Sequence, residues 1–152
     1  PTPVVVNLLT NGGFDSGSLT PWTFYSASNA QAVVSSGWAT VTFGNSYVSS
    51  NTQLYQKNLT LQERTAYTLR FRARSTTGED LQAVIHEQDE DYTNYGLNVR
   101  ANLTSSWQEL TFPFTSMNFT GTVTDGRLRF SFNPYAAAGA VYYIDDVRLY
   151  KN

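Results

Sequence analysis

The stretch AYTLRFRARS, Ala66–Ser75, decides the fold of this chain, because its apolar and polar residues alternate without a break. Successive side chains of a strand point to opposite faces, so Tyr67, Leu69, Phe71 and Ala73 share one face. The opposite face carries one threonine and three arginines. Buried charges without partners are costly. The pattern therefore predicts a strand with one face in the core and the other in contact with solvent.

Two further segments show the same alternation. In residues 81–88 apolar side chains alternate with a second set that includes glutamine and histidine. In residues 127–133 apolar side chains alternate with arginine, serine and asparagine. We predict that these two strands and Ala66–Ser75 lie in one sheet. The polar face of that sheet would then be a recognition surface.

The rest of the chain consists of short β-type segments separated by glycine and asparagine turns, and no window shows helical periodicity. One hairpin turn is predicted at Thr124, Asp125 and Gly126. Such a pattern is typical of an all-β sandwich or jelly roll of two antiparallel sheets, with residues 1–152 as one domain.

The composition argues against several classes of partner. A net charge of −2 offers no basic surface for nucleic acid. No apolar run approaches the roughly 20 residues that cross a bilayer, so no membrane association is expected. The chain has no cysteine, which excludes disulfides and thiol chemistry and is compatible with export.

The two ends of the chain carry a family resemblance. Residues 7–15, NLLTNGGFD, and residues 143–149, YIDDVRL, resemble the bracketing motifs of β-jelly-roll carbohydrate-binding modules of families four, sixteen and twenty-two. Residues 53–56, 67–74 and 107–112 resemble the middle strands of these modules, in the same order. The resemblance implies a concave sheet that binds a glycan chain, a calcium ion away from that cleft, and a non-catalytic role beside a glycoside hydrolase.

A sugar-binding face needs flat aromatic rings for the C–H faces of a pyranose and fork-shaped polar side chains for its hydroxyls. The alternative is a solvated sheet face with weak surface ion pairs, with core packing for Trp22 and a structural role for His86. The predicted ligand-binding residues are Trp22, Arg70, Arg72, Gln82, His86, Gln88, Tyr92, Tyr95, Arg129, Asn133 and Tyr135.

A metal site is predicted from Asp145, which has the same parity as the apolar residues of its segment and so needs a partner on the core side. A calcium ion would supply one, with Asp15, Asp145 and backbone carbonyls near Gly13 and Asn45 as ligands. The alternative is that the Asp145 carboxylate accepts a hydrogen bond from the turn at residues 11–13. We expect the ion to stabilise the fold without touching the ligand.

An acidic cluster, Glu87, Asp89, Glu90 and Asp91, suggests a rival function, because glycoside hydrolysis uses two carboxylates across a cleft. These carboxylates crowd one turn instead of facing each other from separate strands. A solvated loop is the simpler interpretation.

The sequence therefore predicts a secreted, monomeric, non-catalytic carbohydrate-binding module that targets an appended catalytic domain to a polysaccharide. A β-glucan or related plant polysaccharide is favoured over xylan, because the many fork-shaped donors suit a chain that carries exocyclic hydroxymethyl groups. A small polysaccharide-cleaving enzyme and a structural accessory domain without ligand are the alternatives.

Overall fold

The computed structural model describes residues 5–152, which form ten strands. In chain order these are β1 (Thr23–Ser26), β2 (Ala30–Ser35), β3 (Trp38–Phe43), β4 (Thr52–Gln62), β5 (Ala66–Ser75), β6 (Leu81–Glu87), β7 (Asn94–Ala101), β8 (Gln108–Thr115), β9 (Thr122–Ser131) and β10 (Val141–Lys151). Within this described part, no helix long and apolar enough to cross a bilayer is found.

The strands form two five-stranded sheets that pack face to face. Sheet I has the order β1-β4-β9-β6-β7, and sheet II has the order β2-β3-β10-β5-β8. All neighbouring strands are antiparallel. The predicted all-β sandwich of two antiparallel sheets is confirmed.

Strand β5 has the predicted bounds and faces, and Tyr67, Leu69 and Phe71 are buried. Its predicted neighbours are wrong, however. β5 pairs with β8 and β10 in sheet II, whereas β6 and β9 pair with each other in sheet I. Both sheets turn an apolar face inward, so alternation alone identifies the buried face of a strand and not the sheet to which it belongs.

Aromatic side chains join the two sheets. Phe130 of β9 is fully buried, and its ring centroid lies 5.0 Å from that of Phe71 on β5 and 6.0 Å from that of Trp22. The indole Nε1 of Trp22 donates a hydrogen bond to the carbonyl oxygen of Asn11 at 3.1 Å. This contact fixes the loop before β1 onto the core.

Strand β10 contains a bulge. The register with β5 shifts between Asp145 and Arg148, and Asp146 has a φ of 49°. The bulge reverses the alternation, so that Tyr142 and Ile144 are buried before it and Val147 after it. Asp145 therefore does not share the inward face, and the prediction from its parity is wrong.

The segment before β1 pairs with the end of β10. The N–H of Leu8 donates to the carbonyl of Leu149 at 2.7 Å, and the N–H of Val147 donates to the carbonyl of Gly12 at 2.9 Å. A Cβ atom at Gly12 would lie 2.0 Å from the carbonyl oxygen of Val147. Only glycine permits this approach, which brings Asp15 towards Asp145.

The outer face of sheet II carries an aromatic cluster of Trp38, Trp107 and Tyr143. The two indole centroids lie 5.3 Å apart, and each is 6.3 Å from the centroid of Tyr143. The guanidinium of Arg74 lies 4.3 Å from the Tyr143 centroid, and that of Arg72 lies 5.1 Å from the Trp107 ring. The cluster is on the side of the sandwich opposite sheet I.

Candidate functional site

The candidate site is a pocket of about 410 Å³ on the outer face of sheet I. Its lining comprises three tyrosines, two arginines, one histidine and two amide side chains, and it includes no carboxylate. The lining residues are Tyr25, Asn51, Gln53, Tyr55, His86, Tyr92, Arg127 and Arg129.

The floor of the pocket is built on the three central strands of sheet I. Arg127 and Arg129 project from β9, the middle strand. Tyr55 of β4 lies opposite Arg129, and His86 of β6 lies opposite Arg127. Leu128 and Phe130 face the core. Because successive side chains of a strand point to opposite faces, Arg127 and Arg129 both face outward into the pocket.

Two exposed tyrosine rings flank this polar floor. Tyr25 on the edge strand β1 is 49% exposed, and Tyr92 in the loop after β6 is 56% exposed. The Tyr92 ring meets His86 edge to face, with the ring centroids 6.0 Å apart. Exposed rings on opposite sides of hydrogen-bonding groups suit a ligand with flat apolar faces and polar edges.

Arg127 is held in place by its neighbours. Its Nη2 donates a hydrogen bond to Oε1 of Gln53, and Nε2 of Gln53 donates to Oδ1 of Asn51 at 2.7 Å. The Arg127 guanidinium also lies 3.8 Å from the ring centroid of Tyr55. These contacts orient the guanidinium before any ligand arrives, which lowers the entropic cost of binding.

His86 is neutral at physiological pH. Its pKa is lowered to about 4, chiefly by burial and to a smaller extent by the nearby charges of Arg129 and Arg127, whereas the hydrogen bond with the carbonyl of Glu87 acts in the opposite direction. The Nδ1 atom lies 2.6 Å from that carbonyl oxygen, so we assign the proton to Nδ1. The buried Nε2 is then an acceptor, and it has no hydrogen-bond partner among residues 5–152.

Three of the predicted ligand-binding residues, His86, Tyr92 and Arg129, meet in this pocket. The alternation in residues 53–55 could have indicated that Gln53 and Tyr55 share one face, but not that this face lies beside β9. The pocket residues that were not predicted are Tyr25, Asn51, Gln53, Tyr55 and Arg127.

Trp22 and Tyr95 were predicted to bind ligand, but their placement contradicts this. Trp22 is 4% exposed and packs on Phe130, and Tyr95 is 3% exposed. The hydroxyl of Tyr95 donates to Oδ1 of Asp125 at 2.9 Å. Both rings therefore belong to the core, and each donates its one polar hydrogen to a partner, Trp22 to the carbonyl of Asn11 and Tyr95 to Asp125.

The prediction that Arg70 and Arg72 bind ligand in the same site is also wrong, because β5 belongs to sheet II and the pocket lies on sheet I. Arg70 forms an ion pair and two hydrogen bonds with Glu109 of β8. The Nη1 atom of Arg72 lies 3.7 Å from a carboxylate oxygen of Asp146. Both guanidinium groups lie on the face of the sandwich that is remote from the pocket.

The remaining predicted residues do not line the pocket. Gln82 donates to an asparagine of β7 at 2.6 Å, and Gln88 accepts a backbone N–H of β4 at 3.0 Å. The ring centroid of Tyr135 lies 4.4 Å from an arginine guanidinium of β7. Asn133 follows β9, and its carbonyl accepts a hydrogen bond from a serine hydroxyl at 3.1 Å.

The predicted metal ligands are only partly brought together. Burial raises the pKa of Asp145, and the negative charges of Asp146 and Asp15 raise it further. Its buried Oδ1 has no hydrogen-bond partner within the described chain. No group of three or more His, Asp or Glu side chains able to hold a metal occurs in residues 5–152, so an ion here would need backbone carbonyls such as those near Gly13.

Asn45 is excluded from this set. Its side chain oxygen would lie 3.2 Å from a Cβ atom at Gly139, just before β10 begins. Asp145 lies several residues further along β10, or roughly 20 Å at the rise of a strand. The prediction that Asn45 contributes a ligand beside Asp145 is therefore wrong.

Sequence comparison assigns the family. The sequence profile of a family described as "Carbohydrate binding domain" matches residues 6–137, which is most of the chain. The chain belongs to this family. The resemblance to carbohydrate-binding modules of the jelly-roll type is thereby confirmed. A comparison with curated proteins found no match.

Solved structures show the same fold. A structure described as a CBM4 module is 24% identical, with a TM-score of 0.76, and the match covers 94% of this chain and 99% of that one. The second N-terminal cellulose-binding domain of Cellulomonas fimi β-1,4-glucanase C is 22% identical over 99% of this chain and 97% of that one, with a TM-score of 0.74. The module TmCBM61, solved with β-1,4-galactotriose, is 18% identical over 97% and 99%, with a TM-score of 0.67.

Proposed function

We propose that this domain binds a single chain of a β-linked glucan or related plant polysaccharide in the pocket of sheet I. The observation that carries the proposal is the placement of exposed Tyr25 and Tyr92 on either side of a floor of arginine, histidine and amide groups. Rings of this kind cover the C–H faces of a pyranose, and the floor supplies donors and acceptors for its hydroxyls.

The proposed role is targeting. The domain would be secreted as part of a polysaccharide-degrading enzyme and would raise the effective concentration of the catalytic domain on its substrate. The similar cellulose-binding domain from Cellulomonas fimi belongs to a β-1,4-glucanase, which supports this arrangement. No carboxylate lines the pocket, so the pocket does not supply the pair of acids that glycoside hydrolysis uses.

Affinity electrophoresis against β-glucans, xylan and mannans tests the proposal. We expect retardation by at least one β-linked hexose polymer, and no retardation by any polysaccharide would refute the proposal. Tighter binding of xylan than of glucan in calorimetry would refute the proposed preference for a β-glucan. Release of reducing ends, abolished by Glu87→Gln, would instead support the enzyme alternative.

Removing one flanking ring is expected to weaken binding without unfolding the domain. Tyr25→Ala and Tyr92→Ala should each lower the affinity for the best polysaccharide about 5-fold, since a stacked ring contributes roughly 1 kcal/mol. Tyr150→Ala, on the outer face of sheet II, is the matched control and should bind as the parent does. Unchanged calorimetric affinity of both pocket variants would place the ligand elsewhere.

We also propose that a calcium ion binds near Asp15 and Asp145, with turn carbonyls near Gly13 completing its shell. The support is the unpartnered buried oxygen of Asp145 beside two other carboxylates, because a hard cation would relieve their mutual repulsion. The ion would connect the segment before β1 with β10, and it would lie apart from the pocket.

Chelation is expected to lower the melting temperature by several degrees, because an ion that binds only the folded state stabilises it by about 3 kcal/mol at a hundredfold excess over Kd. Asp145→Ala should show the lower melting temperature and no further response to EDTA, whereas the exposed control Asp89→Ala should respond as the parent does. Calorimetry should find polysaccharide affinity unchanged by EDTA. Loss of sugar binding in a folded, chelated protein would place the ion in the sugar site.

A further inference from the structure

The two arginines of the pocket differ from most other arginines of the domain. Arg64, Arg70, Arg72 and Arg100 each lie within ion-pair distance of a carboxylate. Among residues 5–152, no carboxylate lies within that distance of Arg127 or Arg129. They occupy the centre of sheet I, where β4 and β6 present tyrosine, valine and histidine opposite them.

Their hydrogen-bonding capacity is also only partly filled. The Nε atom of each guanidinium is buried and has no hydrogen-bond partner in the described chain. Burial lowers the pKa of both arginines, and for Arg129 the adjacent charge of Arg127 lowers it further. Two like charges are therefore held together, partly desolvated and without an ion-pair partner in the described chain, in a pocket that is open to a ligand.

A neutral sugar could form hydrogen bonds with the two arginines but would not neutralise their positive charges. Hydroxyl groups can accept hydrogen bonds from a guanidinium, but they leave the two positive charges in place. A carboxylate or a sulfate would accept the same hydrogen bonds and would also neutralise charge. A guanidinium can bind either group through two parallel hydrogen bonds. Neutral His86 adds no charge of its own, and its free Nε2 can accept a bond from a neighbouring hydroxyl.

The positive charge is local to the pocket. The whole chain has a net charge of −2, so indiscriminate attraction of polyanions is not expected from its overall field. An acidic ligand would have to combine its charge with a shape that fits between Tyr25 and Tyr92. That combination is found in a pyranose chain that carries acidic groups.

Building on the proposed function, we propose that the preferred ligand is an acidic glycan, whose carboxylate or sulfate groups bind Arg129 and Arg127 on the floor of the pocket. The backbone would remain a β-linked pyranose chain held by the tyrosine rings. The arginines would distinguish this chain from its neutral counterpart.

Three hexasaccharides with one backbone test the inference: β-1,4-linked cellohexaose, the corresponding β-1,4-glucuronic acid hexamer, and cellohexaose sulfated at its C6 oxygens. Calorimetry at 50 mM and 300 mM NaCl should show at least 10-fold tighter binding of one acidic hexamer at low salt. The preference should shrink at high salt, because ions screen charges that remain partly exposed. The tighter of the two acidic hexamers identifies the acidic group.

Arg129→Gln should weaken binding of the acidic hexamer much more than binding of cellohexaose, so that the acidic preference is lost, whereas Arg129→Lys should retain part of the preference. The control Arg148→Gln, on sheet II, should behave as the parent does. Thermal melting checks that each variant is folded. If Arg129→Gln does not fold, Arg127→Gln is tested in its place.

Equal or tighter binding of cellohexaose by the parent protein would overturn the inference and leave the proposed function standing. An acidic preference that persists in folded Arg129→Gln and Arg127→Gln would overturn the assignment to these arginines. Binding to none of the hexamers and to none of the polysaccharides would refute the proposed function and the inference with it.

Discussion

Phe130→Ala is expected to lower the free energy of unfolding by about 3–5 kcal/mol, because it leaves a cavity where the two sheets meet. The fully buried ring of Phe130 lies between Trp22, at 6.0 Å, and Phe71, at 5.0 Å. Neighbouring strands cannot close this gap, since backbone hydrogen bonds hold β9 between β4 and β6. In a domain of this size the melting temperature should fall by roughly 10 °C.

Chemical denaturation measures this loss directly, with Val33→Ala as the control. Val33 on β2 is 56% exposed, so its truncation should change stability by less than about 0.5 kcal/mol. A loss below about 1 kcal/mol for Phe130→Ala would mean that the core between the sheets is not packed as described.

Acidification is expected to destabilise the domain between pH 6.5 and pH 4 through His86. The folded state lowers the pKa of this residue from its ordinary 6.5 to about 4, chiefly by burial. The unfolded chain therefore binds a proton first as the pH falls, and the stabilising contribution of neutral His86 is complete above pH 6.5 and declines below it. The full shift corresponds to about 3 kcal/mol.

His86→Gln separates this effect from the titration of the acids. His86 is the only histidine of the chain, so the variant should lose stability less steeply than the parent between pH 6.5 and pH 4.5. Denaturation curves at several pH values give the two slopes. Parallel slopes would show that the histidine keeps its ordinary pKa in the folded protein.

The bounds of single strands could be predicted where alternation is strict, as in Ala66–Ser75. Pairing could not, because β5 and β9 show the same apolar and arginine pattern although they lie in different sheets. The turn predicted at Asp125 and Gly126 lies inside β9, where an irregular register with β4 accommodates it. Local turn propensity was overridden there by pairing on both sides of the strand.

The candidate site was predictable only in part for the same reason. His86, Tyr92 and Arg129 could be found from polar alternation and loop position. Tyr25 and Tyr55 become pocket residues only through the pairing of β1 with β4 and of β4 with β9. These contacts join residues far apart in sequence, and no local pattern encodes them.

The positions of the tryptophans have a spectroscopic consequence. All three lie away from the pocket: Trp22 is behind β9 in the core, and Trp38 and Trp107 are on the outer face of sheet II. The pocket contains only tyrosine chromophores. Indole emission therefore follows unfolding of this domain with little interference from bound ligand, whereas saturation of the pocket has to be followed by calorimetry or by tyrosine absorbance.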